Sequence, residues 1–190
     1  MRSQKTAIES EPTEAPIPDP PLYGYAYRSI PFGITKGQFY KIVSRDPEIK
    51  IDNSHGFPLY STTLFGWEFW ISNNHFEDNG LLYGLQLAGE GLFRICGMQR
   101  GLEVVTAVNE MFTERFGSPQ GMGVSAKDSG LWSKWNIIEG GGKSIETVVK
   151  EGGFGYGLFI LITSTAMEAE AAAAREAENK ANYSKYSADF

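Results

Sequence analysis

The sequence predicts an α+β domain in which two helices pack against a single antiparallel β-sheet of about five strands. Three observations lead to this fold class. Apolar residues alternate through 59–88, they recur at spacings of three and four through 102–116, and glycine-bounded apolar runs fill 131–163. The first and third patterns are typical of strands, and the second is typical of an amphipathic helix. We place the domain at residues 23–163.

Two extensions flank the predicted domain. Residues 1–22 are rich in proline among polar and acidic residues, so we expect an extended tail that orders only against a neighbouring chain. Residues 164–190 are rich in alanine and glutamate and predict a C-terminal helix, with a capping box formed by Thr165 and Glu168. Its apolar stripe is thin, so we expect the helix to project or to lie on a partner.

The length, composition and net charge of the chain limit the possible classes of function. The chain has 190 residues, 42% of them hydrophobic, and a net charge of −6. Its 17 Lys and Arg residues are scattered, so we expect no nucleic-acid partner. No apolar run approaches the length of a membrane span, and residues 1–16 have no apolar stretch typical of a signal peptide. We therefore expect a location in the cytoplasm or within a particle or complex.

The first helix is predicted at residues 36–45. Thr35 and Gln38 have the spacing of a capping box, and Ile34 and Phe39 have that of a hydrophobic staple. Pro47 ends the segment. Upstream, Tyr23, Tyr25 and Tyr27 alternate with small or polar residues, which predicts a short edge strand, an aromatic anchor for the tail or an extended lead-in.

The central hairpin is predicted from two alternating runs around an Asn/Asp/Gly-rich turn at 73–80. In the first run, one face carries Thr63, Phe65, Trp67, Phe69 and Ile71, and the other carries Leu64, Gly66, Glu68 and Trp70. After the hairpin, residues 89–98 predict a loop or short strand. Its Gly-Glu-Gly lacks the glycine spacing of a nucleotide loop, and we expect no cofactor.

The second half repeats the order of the first. A helix at 102–116 is predicted to turn Leu102, Val105, Val108, Met111, Phe112 and Phe116 inward and to end at Gly117. A flexible loop at 121–130 precedes strands at 131–138, 144–149 and 154–163, and the last is apolar on both faces, as expected of a central strand. A helix followed by antiparallel strands thus occurs at about 35–88 and again at 102–163.

A short stretch resembles a known group of proteins. Pro31-Phe32-Gly33-Ile34-Thr35, leading into Gln38-Phe39, resembles the start of small bacterial α/β scaffold domains. These include the small lipoprotein of the outer-membrane assembly machine and β-lactamase-inhibitor-like domains. The helix ending at Phe116-Gly117, with Pro119 two residues further on, is similar to that group as well. The resemblance covers about fifteen residues and implies a non-enzymatic scaffold or binding domain.

Residues with catalytic or metal-binding potential are few. His55 and His75 lie in turn-like segments without paired cysteines, so we expect no metal site. Cys96 lies in a mostly apolar setting and is expected to be an inert thiol. Glu68 lies between Trp67 and Trp70, an environment that raises the pKa of a carboxyl group. A glycosidase would need a second carboxylate, and the sequence offers Asp52, Glu77 and Glu90.

The aromatic residues are the stronger signal. Tryptophans lie on both faces of the predicted sheet, and only one face is needed for the helices. We expect partner binding by Tyr23, Tyr25, Tyr27, Trp67, Trp70, Trp132, Trp135, Tyr183, Tyr186 and Phe190. The predicted function is a non-catalytic structural or accessory subunit of a larger assembly, for instance of a bacterial complex or a phage particle. The alternatives are a stand-alone protein-binding module, such as an inhibitor or immunity-type protein with an acidic partner face, and third a small hydrolase around Glu68.

Overall fold

The computed structural model describes residues 16, 17, 19, 21–72, 80–124, 130–138 and 141–188, without the side chains of 181–188. It contains ten strands and three helices within those residues. These are β1 (Tyr25–Tyr27), β2 (Ile30–Pro31), α1 (Lys36–Val43), β3 (Lys50–Asp52), β4 (Leu59–Leu64), β5 (Trp67–Ser72), β6 (Gly84–Gly89), α2 (Leu92–Phe116), β7 (Gly121–Val124), β8 (Leu131–Ile137), β9 (Lys143–Gly152), β10 (Gly155–Ser164) and α3 (Thr165–Ala188).

The main sheet has eight antiparallel strands in the order β3-β4-β5-β6-β10-β9-β8-β7, and β1 and β2 form a separate two-stranded ribbon. The α+β class and the antiparallel pairing are confirmed. The prediction of about five strands is wrong. One reason is that the run predicted as a single strand turns back at Phe65 and Gly66, which have φ angles of 51° and 78°. Two consecutive residues with positive φ make the tight turn that favours a hairpin.

Two further strands were missed because they are short and polar or glycine-rich. β3 has only three residues, and β7 lies in the segment predicted to be a flexible loop. The predicted hairpin of β5 and β6 is present, with Ile71 opposite Leu87. The turn predicted at 73–80 lies outside the described residues except for Gly80.

The chain contains the helix-plus-strands unit twice. The first unit is α1 with β3–β6, the second is α2 with β7–β10, and the two join where β6 pairs with β10. Each unit is an antiparallel meander of four strands. The strand β10 therefore lies at the centre of the sheet, between β6 and β9, which agrees with its prediction as a central strand.

The two faces of the eight-stranded sheet have different surroundings. Directly opposed residues on antiparallel neighbours share a face, so the register assigns every side chain to one side. The face that we call the helix-packed face contributes Tyr60, Phe69, Ile71, Leu85, Leu87, Trp135, Ile145, Leu158, Ile160 and Ile162 to the main core cluster, together with apolar residues of α1 and α2. No residue of the opposite face belongs to this cluster within the described part of the chain, and we call that side the open face.

The start of one helix is predicted correctly from the sequence, and the start of another is not. The capping box of α1 is confirmed, since both the Thr35 side chain and the Gln38 side chain accept the predicted backbone hydrogen bonds. The start of α2 is not where it was predicted, because helical structure begins at Leu92 and continues past a break at Gly97, where φ is 82°. Residues 92–98, which belong to the segment predicted as a loop or short strand, are thus helical except at Gly97.

The inward face of α2 is as predicted except at Leu102, since Met111 and Phe116 also pack against the core. Its buried residues are Leu92, Gly101, Val104, Val105, Val108 and Phe112, whereas Leu102 is 45% exposed. The helix α3 is present, but Ser164 rather than Thr165 caps it, because the Ser164 Oγ accepts a hydrogen bond from the Met167 N–H. Within the described residues, no helix is both long enough and apolar enough to cross a membrane.

Candidate functional site: the open face of the sheet

The open face carries one continuous row of apolar side chains that runs across five strands. The register places Trp70 of β5 opposite Ala88 of β6, Ala88 opposite Phe159 of β10, Phe159 opposite Val148 of β9, and Val148 opposite Trp132 of β8. At about 4.8 Å per strand, the two tryptophans at its ends are about 19 Å apart. We call these five residues the apolar row.

The Trp132 end of the row rests on strand β7. A Cβ atom at Gly121 would lie 3.0 Å from the Trp132 ring, and one at Gly123 would lie 3.3 Å from its Nε1. The two glycines face the same side of the sheet as Trp132. They leave room for the indole to lie flat on the edge strand, where side chains would push it off. The glycine-rich sequence of β7 therefore fixes the position of Trp132.

The middle of the row is covered by one charged side chain. Phe159 is buried, and the Lys150 Nζ lies 4.9 Å from the centroid of its ring. A lysine stem is flexible, and its ammonium group gains a modest cation–π attraction in this position. Ala88 is the smallest side chain of the row and lies between Trp70 and Phe159, so the surface is lower there than at Trp70.

Polar side chains border the row. On one side Glu68 is exposed and accepts a hydrogen bond of 2.7 Å from the Ser61 hydroxyl. On the other, Lys134 and Glu146 are directly opposed on β8 and β9. An apolar centre with a polar border is the usual composition of a protein-binding surface.

A hollow of about 700 Å³ lies at the Trp70 end of the row. It is lined by Trp70 and Ala88, by Phe57 of the loop before β4, by Glu90 of the loop before α2, and by Phe154 of the turn before β10. A second hollow of about 710 Å³ shares Trp70, Glu90 and Phe154 with the first and is also lined by Glu68. The loops at this end of the sheet therefore extend the open face beyond the strands.

The structure brings together one of the three carboxylate pairs considered for hydrolysis. Glu90 lines a hollow with Glu68. Asp52 instead lies at the end of β3, where the Ser54 N–H donates to its carboxylate and lowers its pKa, and where the His55 Nε2 is 3.7 Å away. Glu77 lies outside the described residues. In the part of the chain that is described, no group of three His, Cys, Asp or Glu residues has the arrangement of a metal site.

Two of the four tryptophans lie on the helix-packed side. Trp135 is only 1% exposed, and its Nε1 donates a hydrogen bond of 3.0 Å to the Gly117 carbonyl, so it belongs to the core and not to a binding surface. Trp67 is half-buried against the core, and its Nε1 is buried without a hydrogen-bond partner. The predicted separation of Trp67 from Trp70, and of Trp132 from Trp135, onto opposite faces is confirmed.

Of the remaining predicted contact residues, Tyr23, Tyr25 and Tyr27 lie away from the open face. Tyr25 is exposed on β1, Tyr27 shares a hydrogen bond with Thr62, and the Tyr23 hydroxyl donates to Glu170 on α3. The Tyr23 bond joins the N-terminal segment to the start of α3. The side chains of Tyr183 and Tyr186, all of Phe190 and all of His75 lie outside the described residues.

Sequence reasoning missed Ala88, Val148 and Phe159, which make up the middle of the apolar row. The signal for Phe159 was present, because the run at 154–163 is apolar at odd and even positions alike. A scan against protein-family models, a search of curated proteins and a search of solved structures each found no match.

Proposed function

We propose that this protein is a non-catalytic subunit of a larger protein assembly and binds a neighbouring protein through the open face of its sheet. The observation that supports the proposal is the apolar row, which lies outside the core cluster and ends in two half-buried tryptophans. Tryptophan at the centre of a dry contact is among the residues that contribute most to binding energy. The polar border would then form the solvent-accessible rim of the contact and keep water away from the apolar row.

The helix α3 supports the subunit form of this proposal. It has 24 residues, about 36 Å of helix, and residues 168–180 are exposed apart from the half-buried Ala171. The exposed ion pair between Glu176 and Lys180, at 2.8 Å, adds only a few tenths of a kcal/mol. A helix that gains so little from its own domain is stabilised further when it lies on another chain.

The test is the native mass of the complex isolated from source cells through a tagged full-length chain. We expect light scattering to give the wild-type chain a native mass above its own 21.0 kDa, with a partner in fixed stoichiometry. The double variant Trp70→Ala/Trp132→Ala is expected to elute as a free 21.0 kDa chain while it keeps its cooperative thermal unfolding. These substitutions remove both ends of the apolar row.

Leu102→Ala is the matched control, since it removes an exposed apolar side chain from the opposite side of the molecule. It is expected to leave the complex intact. A wild-type chain that remains free in extracts, or a loss of the complex in the control alone, would contradict the use of the open face.

A stand-alone inhibitor or immunity-type protein is the second candidate, because the apolar row is complete within the strands and includes no part of α3. The variant Ala174→Glu on exposed α3 separates the two candidates. If the subunit uses α3, the native mass of the assembly is expected to fall in this variant. If the protein is a stand-alone module, the variant is expected to keep a complex of one partner per chain.

A further inference from the structure

A cleft of about 510 Å³ lies on the helix-packed side of the sheet, away from the open face. One wall is β1, from Tyr25 to Tyr27, and the other is the C-terminal part of α2, with Met111 and Phe116. The two walls leave a gap because the β1–β2 ribbon and α2 pack side by side on the same sheet. Its volume falls within the range of small-molecule sites in proteins.

The floor of the cleft is apolar. Leu87 of β6, Ile145 of β9 and Ile162 of β10 line it, and all three belong to the core cluster. Phe112 of α2 continues the same surface. An apolar molecule in the cleft would therefore lie directly on the core, where each methylene group removed from water contributes to binding.

Three basic side chains line the cleft, and one of them is neutralised. Arg28 forms ion pairs with Asp46 at 3.2 Å and Glu48 at 2.6 Å. The remaining two are Arg115 and Lys143, and neither of them has a carboxylate partner within the described residues.

Arg115 and Lys143 both line the cleft and both lie against the Phe116 ring. The Arg115 guanidinium is 5.3 Å and the Lys143 Nζ is 5.8 Å from the centroid of Phe116. Lys143 donates one hydrogen bond, of 3.3 Å, to the Tyr25 carbonyl. Burial, and then the charge of Arg115, lower the pKa of Lys143. Two like charges in a partly dry cleft are unfavourable unless an anion lies between them.

We propose that this cleft binds a small carboxylate with an apolar body, whose carboxylate pairs with Lys143 and Arg115 while its body lies on Leu87, Ile145 and Ile162. The site is independent of the open face and of the assembly proposed above. A carboxylate fits because it accepts hydrogen bonds from both an ammonium and a guanidinium group. The apolar floor excludes small hydrated anions as good ligands.

The test is isothermal titration of the full chain with octanoate, 1-octanol and acetate, which separate the charge from the apolar body. Octanoate is expected to bind at one site per chain. Octanol is expected to bind at least about tenfold more weakly, since it makes no charge-assisted hydrogen bond. Acetate is expected to show no heat of binding. Equal affinity for octanoate and octanol, or no binding of octanoate, would overturn the proposal.

Lys143→Met is expected to weaken octanoate binding by about tenfold or more, because it keeps the apolar stem and removes the ammonium group. Arg115→Gln gives a second measurement of the octanoate affinity, and it changes an exposed position, where folding is not at risk. Lys150→Met is the matched control, since it removes a lysine of the same strand from the other face. A loss of affinity in this control equal to that in Lys143→Met would show non-specific association and would also overturn the proposal.

Discussion

The two faces of the eight-stranded sheet carry two tryptophans each, yet these side chains have different surroundings. On the helix-packed face, Trp135 is buried and donates its indole hydrogen to a backbone carbonyl, and Trp67 packs against the core. On the open face, Trp70 and Trp132 are half-buried; Trp132 lies against the glycines of β7, and Trp70 lines a hollow with Ala88 and Phe154. The same residue type is therefore part of the core on one face and only half-buried on the other.

The difference between the faces comes from what covers them. On one face the helix α2 packs on β10 and β8, and residues such as Val108 and Phe112 complete the core. On the other face no helix contributes to the core cluster within the described residues, and the Lys150 Nζ lies 4.9 Å from the ring centroid of Phe159. A lysine stem can move aside at little cost, whereas a packed helix cannot. Comparing substitutions on the two faces is therefore the most direct check of the open-face assignment.

The largest expected difference is between Trp135 and Trp132. Trp135→Ala is expected to lower the free energy of unfolding by about 3–5 kcal/mol, because it leaves a cavity beneath α2 and removes the bond to Gly117. Trp132→Ala is expected to cost about 1 kcal/mol, since one side of the ring already faces solvent. Urea denaturation of both variants measures the difference.

Equal costs for the two tryptophans would contradict the assignment of the faces. Such a result would mean that Trp132 is covered in the folded protein by a segment outside the described residues, and the apolar row would then be part of a second core. A smaller loss of unfolding free energy in Trp135→Ala than in Trp132→Ala would mean that the face carrying Trp132 is the one covered by the core.

Parts of the fold governed by local chemistry were predictable from the sequence. The capping box of α1 depends on Thr35 and Gln38 alone, and it is present as predicted. The alternation that placed Trp67 and Trp70 on opposite faces depends only on the geometry of one strand. These features need no knowledge of distant contacts.

Features that depend on neighbouring strands could not be predicted in the same way. The turn at Phe65 and Gly66 interrupts a run whose alternation continues without a visible break, and a phenylalanine at positive φ is an uncommon choice there. The apolar row joins residues as distant as Trp70 and Phe159, and it exists only through the register of β6 with β10. The open face could be anticipated, but its continuous row could not.

A smaller difference is expected between two threonines. Thr147 is buried on the helix-packed face and donates a hydrogen bond of 2.9 Å to the Asn109 Oδ1 of α2. Thr147→Val keeps the volume but leaves that amide without its donor, and is expected to cost about 1–3 kcal/mol. Thr63→Val, on the exposed part of the open face, is expected to stay within about 0.5 kcal/mol of wild type. Thermal unfolding of both variants tests this, and a large loss in Thr63→Val would indicate that the open face is covered.

The smallest expected effect on the free energy of unfolding distinguishes two lysines of β9. Its sign is opposite to that of the substitutions above, because it stabilises the protein. Lys143 faces the helix side beside Arg115, and burial followed by that charge lowers its pKa from the ordinary 10.5. Lys143→Met is therefore expected to stabilise the protein at pH 7, by less than about 1 kcal/mol because solvent screens a half-exposed charge. The Tyr25 carbonyl that loses its donor belongs to an exposed residue, so we expect water to replace the lost hydrogen bond.

The stabilisation by Lys143→Met is expected to depend on pH. Between its lowered folded pKa and 10.5, Lys143 binds fewer protons in the folded state than in the unfolded state, so the stability of the wild-type chain rises with pH. The advantage of the variant should be full below the folded pKa and should vanish above 10.5. Denaturation at several pH values measures this, with Lys150→Met as the control that loses the contact with Phe159. An advantage that does not change with pH would mean that it comes from packing of the methionine, and the two like charges would then not destabilise the cleft.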